Sequence, residues 1–162
     1  MRKVTRVLMV CMGNICRSPL AHAVLQHLID DAKLGHLITV DSAGTHGYHV
    51  GSSPDPRSQF VAKQHGYSCA GQQARQLVPT DATDFDLIVV MDKRNRRDAL
   101  AILGDEANDK VHLLMDFSTA PYPETEVPDP YYGGDDGFTH VLRLVEAGCI
   151  GLMTSLSSRL TP

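Results

Sequence analysis

The stretch RVLMVCMGNICRSPLAHAVLQHL, residues 6–28, changes character twice. Residues 4–10 are apolar and rich in valine, broken by Thr5 and Arg6, as in the central strand of a covered sheet. From Ser18 the apolar residues Leu20, Ala21, Val24, Leu25, Leu28 and Ile29 recur at helical spacing, and Pro19 suits a first helical turn. Between strand and helix lies Cys11-Met12-Gly13-Asn14-Ile15-Cys16-Arg17-Ser18. A plain connecting turn needs neither two cysteines nor an arginine.

Outward from this octet the pattern repeats. Residues 37–40 form a second short strand, followed by a long Gly/Ser/Pro loop. Asp55 and Pro56 read as the cap and first position of a helix ending near Gly66. Residues 85–91 form a third buried strand, and Asp92 caps a helix running to about Leu103. Residues 111–114 form a fourth strand. A loop dense in Pro, Asp and Gly leads to a last helix with Phe138, Val141, Leu142, Val145, Cys149, Leu152, Met153 and Leu156 on one face. Strands alternating with helices predict an α/β domain: four parallel strands in an open sheet, helices on both faces, a phosphate-binding loop after the first strand. One domain is expected over residues 1–162. Ligands of such sheets sit beyond the carboxyl ends of the strands. The octet and the loops around Ser42–Tyr48 and Asp129–Tyr132 all follow strands and can meet there.

Composition sets outer bounds. The 162 residues are 43% hydrophobic and 21% charged, with a formal net charge of -4. An acidic balance argues against a general nucleic-acid or anionic-membrane binder. No signal-like opening and no apolar run of ~20 residues is evident, so a cytoplasmic protein without membrane insertion is expected. The four cysteines, Cys11, Cys16, Cys69 and Cys149, contain no C-x-x-C pair, which argues against a disulfide scaffold or a zinc quartet. His46 and His49 share a loop but lack a third ligand. They read as surface residues, and no metal site is expected. The run DKRNRR, residues 92–97, reads as a solvated basic face able to steer an acidic phosphoprotein.

The octet has the parts of an anion site of about phosphate size. Backbone N–H groups of a strand-to-helix turn can point inward, and the helix start adds its positive dipole end. Arg17 supplies a planar fork for two phosphate oxygens. Cys11 sits at the base of that space, where such a field favours the thiolate, placed for in-line attack on phosphorus. Gly13 permits a backbone closed to other residues. The amide of Asn14 can tie the loop, including to Ser42, and the Ser18 hydroxyl can hydrogen-bond the Cys11 sulfur. The plain alternative makes Cys11 a small buried hydrophobe and Arg17 a solvated residue. It leaves an arginine facing the positive end of a helix with no anion to meet it.

The segment VLMVCMGNICRSP resembles the signature of the low-molecular-weight protein tyrosine phosphatases. DSAGTHGYHVGSSPDPRS at residues 41–58, ARQL at 74–77, FDLIVVMD at 85–92 and VPDPYYGG at 127–134 follow in the same order. The resemblance implies the fold predicted above and hydrolysis of phosphotyrosine in proteins without metal or organic cofactor. It maps the general acid onto Asp129, stiffened by Pro130, which then activates water as a base. It also implies aromatic walls at Tyr48, Tyr131 and Tyr132, and a reversible disulfide between Cys16 and the nucleophile. A buried packing thiol remains the alternative for Cys16, as a turn-capping aspartate does for Asp129. Met12 and Ile15 complete the loop. A monomer or weak self-association is expected.

Two positions depart from the family pattern. His22 stands where the family usually has Glu, and Gln72 stands where several members carry a His that supports the loop. Three rivals share the scaffold or the loop. Protein-arginine phosphatases carry Thr where this loop has Ile15. Thioredoxin-coupled arsenate reductases need two more cysteines in a segment that here, over residues 70–148, has none. A non-catalytic phosphate- or oxyanion-binding module needs neither Cys11 nor Asp129.

Overall fold

A computed structural model of the chain describes residues 3–131 and 134–160. Four strands, β1 (Thr5–Cys11), β2 (Ile38–Gly44), β3 (Leu87–Val90) and β4 (Val111–Leu113), form one sheet in the order β2-β1-β3-β4. Each pair is parallel, with Cys11 opposite Gly44 and Val10 opposite Val90. The chain leaves β1 for β2 on one side and later returns to β3 on the other. The carboxyl end of β1, where Cys11 lies, is therefore the switch point.

Five α-helices accompany the strands: α1 (Arg17–Asp31), α2 (Pro56–Gln64), the single turn α3 (Asp81–Asp84), α4 (Lys93–Leu103) and α5 (Asp135–Leu160). Alternation along β1 sends Val7 and Met9 into one core, with Leu20, Val24 and Leu25 of α1 and Val141, Leu142 and Val145 of α5. It sends Leu8 and Val10 into a second core with Ile88, Val90 and Ala99 of α4. Both faces are thus covered. Each such side chain, fully removed from water, contributes about 1.5–3 kcal/mol before entropy is charged against it.

The caps are local and match the sequence. Asp55 accepts from Arg57 N at 2.8 Å, with Pro56 in the first turn. Asp92 accepts from Asn95 N at 2.7 Å, and Asn95 returns a bond to the backbone of Asp92. Such a cap contributes about 1 kcal/mol. Three corrections follow. Strand β2 runs four residues past Val40, because Gly44 stays in register with Cys11 and bridges onward to Gln76. Helix α1 begins at Arg17, with Cys16 at its cap and no side chain bonded there. The 3-10 turns Asp105–Lys110 and Leu114–Phe117, and α3, are absent from the sequence expectation because nothing periodic marks so short a turn.

Helix α5 also corrects the expectation of no membrane-length apolar run. By length and composition, residues Asp136–Leu160 meet that test, with mean hydropathy 1.2. Half of the apolar window is buried, and Cys149 donates to Ala21 O of α1 at 3.6 Å, so α5 packs as a core helix. Its glycines explain how it lies so close to the Leu114–Phe117 turn. A Cβ on Gly151 would fall 1.8 Å from Phe117 O, and one on Gly148 2.5 Å from Leu114 Cγ. Glycine weakens a helix interior by about 1 kcal/mol, and here it allows backbone contact instead.

Candidate active site

The loop from Cys11 to Arg17 is held from several directions. Thr45 N donates to Cys11 O and His46 N to Met12 O, both at 2.9 Å, and Asp55 N donates to Ile15 O at 2.8 Å. Ser58 Oγ donates to Cys16 O at 3.3 Å. Asn14 adopts φ 59°, the left-handed region that asparagine tolerates better than most residues. Its amide then faces inward: Nδ2 donates to Ser18 Oγ at 2.7 Å and to Ser42 Oγ at 3.0 Å, while Oδ1 accepts from Arg75 N at 3.0 Å. Gly44 passes directly beneath. A Cβ there would stand 2.6 Å from Met12 O and 3.0 Å from Asn14 N, so any other residue would push the loop up.

Ser18 Oγ lies 3.1 Å from Cys11 Sγ, the contact anticipated from the sequence. Both residues are buried, and Cys11 lines a cavity of about 140 Å3. Met12, Gly13, Ile15, Cys16 and Arg17 line its base, and Tyr48, His49, Asp129 and Tyr131 its mouth.

Arg17 is the largest fully buried side chain among the described residues. Its Nη1 donates to Asp92 Oδ2 at 2.6 Å and to Val127 O at 3.0 Å, and its Nη2 stands 3.6 Å from Asp129 Oδ2. Burial works against the charge, but Cys11, Asp92 and Asp129 outweigh it and raise the guanidinium above its ordinary value. An unpaired charge at that depth would cost about 3–5 kcal/mol, which Asp92 prevents. Asp92 reads from sequence only as a helix cap. It is that through Oδ1, and the anchor of Arg17 through Oδ2. Nothing local could signal the second task, because its partner is 75 residues away.

Asp129 is less buried than its partners and bonds through Oδ1 to Tyr131 N at 3.0 Å, so it caps a turn and also faces Arg17. The loop before it is pinned by Val127 N donating to Met91 O at 2.8 Å. Tyr131 lies at the mouth, with Arg57 Nη2 on its carbonyl at 3.0 Å. Tyr48 lines the mouth as well; it is 72% exposed and stacks on His46, ring centroids 5.1 Å apart. Tyr132 lies outside the described residues. His49, read from sequence as a surface residue, is drawn into the site. Its ring covers Gly13 and lies 6.1 Å from the ring of Tyr131.

Cys16 is buried, and its thiol is pushed up to about 12 by burial, then by Asp55, Cys11 and Asp129. Cys69 and Cys149 are buried too, and burial raises both. Gln72 does not touch the loop directly. Its Nε2 donates to Pro19 O at 3.2 Å, and its buried Oε1 has no partner among the described residues.

A buried thiol in a strand-to-helix loop, at the switch point of a parallel sheet and beside a buried arginine, fits the class of phosphatases. The comparison with known proteins narrows the class. The family model described as Low molecular weight phosphotyrosine protein phosphatase matches residues 6–161, and the chain belongs to that family of hydrolases. It is 45% identical over 154 residues to the low molecular weight protein-tyrosine-phosphatase of Streptomyces coelicolor, covering 93% of each chain. Among solved structures, it is similar to a protein tyrosine phosphatase from Entamoeba histolytica with Hepes in the active site. That match has TM-score 0.91 and 38% identity, and covers 97% of this chain and 99% of the other. YfkJ from Bacillus subtilis matches with TM-score 0.92 and 34% identity, covering 98% of both.

Proposed function

We propose that this phosphatase hydrolyses phosphotyrosine in proteins through a phosphocysteine on Cys11, with Arg17 binding the phosphate and Asp129 serving as acid and then base. The observation that carries the reading is the Ser18 hydroxyl 3.1 Å from the Cys11 sulfur, under a cavity whose mouth holds Asp129. With Nη1 committed to Asp92 and Val127, the Nε–Nη2 edge of Arg17 is the pair that meets two phosphate oxygens.

The thiolate attacks phosphorus in line as the P–O bond to the tyrosine ring breaks, and Asp129 gives its proton to the departing oxygen. Before substrate arrives, Asp129 Oδ2 stands 3.6 Å from Arg17 Nη2. In the complex the phosphate meets the guanidinium in its place, and Asp129 turns to the departing oxygen. Water then attacks the phosphocysteine, Asp129 takes its proton, the P–S bond breaks, and Ser18 stabilises the leaving thiolate. No metal or organic cofactor takes part in these steps.

Ile15 lines the cavity as a buried apolar surface, which suits an aryl ring better than a guanidine nitrogen. The test is turnover of phosphotyrosine, phosphoarginine and phosphoserine forms of one peptide in the presence of a chelator. Phosphotyrosine is expected to be fastest. A faster phosphoarginine reaction would transfer the assignment to that rival, and chelator-sensitive turnover would remove the mechanism.

Cys16 fits the role of a partner that traps oxidised Cys11. A sulfenic acid on Cys11 would condense with the Cys16 thiol, forming a disulfide and releasing water. Its high-lying thiol remains protonated and does not compete as an anion for the loop. After peroxide and then reductant, the parent enzyme is expected to recover more activity than Cys16→Ser. Equal recovery would leave Cys16 as packing.

A further inference from the structure

Across the phosphate loop from the Cys11 cavity lies a hollow of about 460 Å3, lined in part by His22, Asp41, Ser42 and Gln72. His22, on α1, is half-buried there, with Nδ1 3.4 Å from Ser42 Oγ. That contact ends a chain of hydrogen bonds whose direction can be worked out. Asn14 Nδ2 carries two hydrogens, one given to Ser18 Oγ and one to Ser42 Oγ. Each hydroxyl therefore accepts from Asn14 and has its own proton to place. Ser18 directs its proton to the Cys11 sulfur at 3.1 Å, with Ala43 O a weaker acceptor at 3.5 Å. His22 Nδ1, 3.4 Å from Ser42 Oγ, can take that hydroxyl's proton only when the imidazole is neutral and its hydrogen is on Nε2.

We propose that neutral His22 is a positioning residue for the reaction: by accepting from Ser42 it holds the Asn14 amide, and through it the Ser18 hydroxyl, in line with the Cys11 sulfur, and protonation of His22 releases that alignment. The proposal rests on Cys11 being the nucleophile. Protonation turns Nδ1 from acceptor into donor: Ser42 Oγ then takes two N–H groups on its two lone pairs and loses the acceptor of its own proton, which weakens and re-aims its bond from Asn14. The surroundings favour the neutral ring. Burial lowers His22 from its usual range, and Asp41 on β2 opposes this only in part. Arg75 Nε stands 3.6 Å from the Asp41 carboxylate and draws its charge away. The other polar groups lining the hollow, Gln26 of α1 and Ser68, Gln72 and Gln73 beyond α2, are uncharged.

The test compares kcat and KM against pH for the parent, His22→Asn and His22→Phe, using an aryl phosphate with a good leaving group. It is read beside the 15N shifts of His22. Asparagine sets an amide oxygen near the place of Nδ1 and cannot titrate. His22→Asn is expected to keep neutral turnover and to hold it further into acid than the parent. His22→Phe is expected to lose about fivefold in kcat with KM little changed, the factor given by loss of one ordinary hydrogen bond. The parent is expected to show its imidazole hydrogen on Nε2 at neutral pH. An acid limb of His22→Asn that superimposes on the parent's, or a hydrogen on Nδ1 at neutral pH, overturns the proposal. If His22→Phe does not fold, the asparagine variant and the tautomer decide. A Cys11→Ser control that keeps turnover would instead sink the nucleophile reading, and the tautomer is read without turnover at all.

Discussion

Cys11→Ser is expected to lose hydrolysis of every phosphate monoester by a factor on the order of 10^4 or more while still binding the product anion. The two properties separate because they rest on different atoms. In the proposed mechanism binding rests on the loop amides, the start of α1 and the Arg17 guanidinium, none of which involves the sulfur. Chemistry needs an anionic nucleophile. A serine hydroxyl in the same position holds its proton far more tightly than a thiol, and the side chain bonded to that position, the Ser18 hydroxyl, is no base. Turnover of an aryl phosphate and calorimetric binding of inorganic phosphate, measured on one preparation, check both halves. Retained turnover would end the covalent mechanism. Loss of both properties would show that the sulfur is needed to hold the loop.

Asp129→Ala is the second large effect, and it should depend on what leaves. General acid catalysis contributes about 10^2–10^4-fold when the departing oxygen needs a proton. Phosphotyrosine and alkylphenyl phosphates should therefore suffer a drop of that order, whereas a nitrophenyl or dinitrophenyl phosphate, whose phenolate leaves unaided, should suffer far less. The same variant removes a carboxylate 3.6 Å from Arg17, and phosphate affinity may not be used as the only readout for that reason. Asp129→Asn separates shape from charge: it keeps an acceptor for Tyr131 N but, like alanine, removes the carboxylate beside Arg17. A slope of log kcat against leaving-group acidity that stays parallel to the parent's would take the acid role away from Asp129.

Much of this site is legible along the chain because its parts obey local rules. A valine-rich run, a helix with proline in its first turn, and the caps Asp55 and Asp92 are each decided by neighbours a few residues away. The contacts of Asn14 with Ser42 and of Ser18 with Cys11 were also within reach, since β1 and β2 end side by side. What stayed hidden depends on distant partners. Asp92 looks complete as a cap until Arg17 is seen against its second oxygen. His49 looks like a loop residue until its ring closes over Gly13. His22 looks like a bare departure from the family's usual Glu until Ser42 is found 3.4 Å from it. Tyr48 lies among the residues lining the cavity, and its stacking on His46 is a contact between near neighbours in the same loop.

The double use of Asp92 ties architecture to chemistry. One carboxylate oxygen starts α4 and the other braces the guanidinium, so a change that loosens the first turn of that helix also loosens the grip on Arg17. Stability of the outer layer and readiness of the pocket share a single side chain.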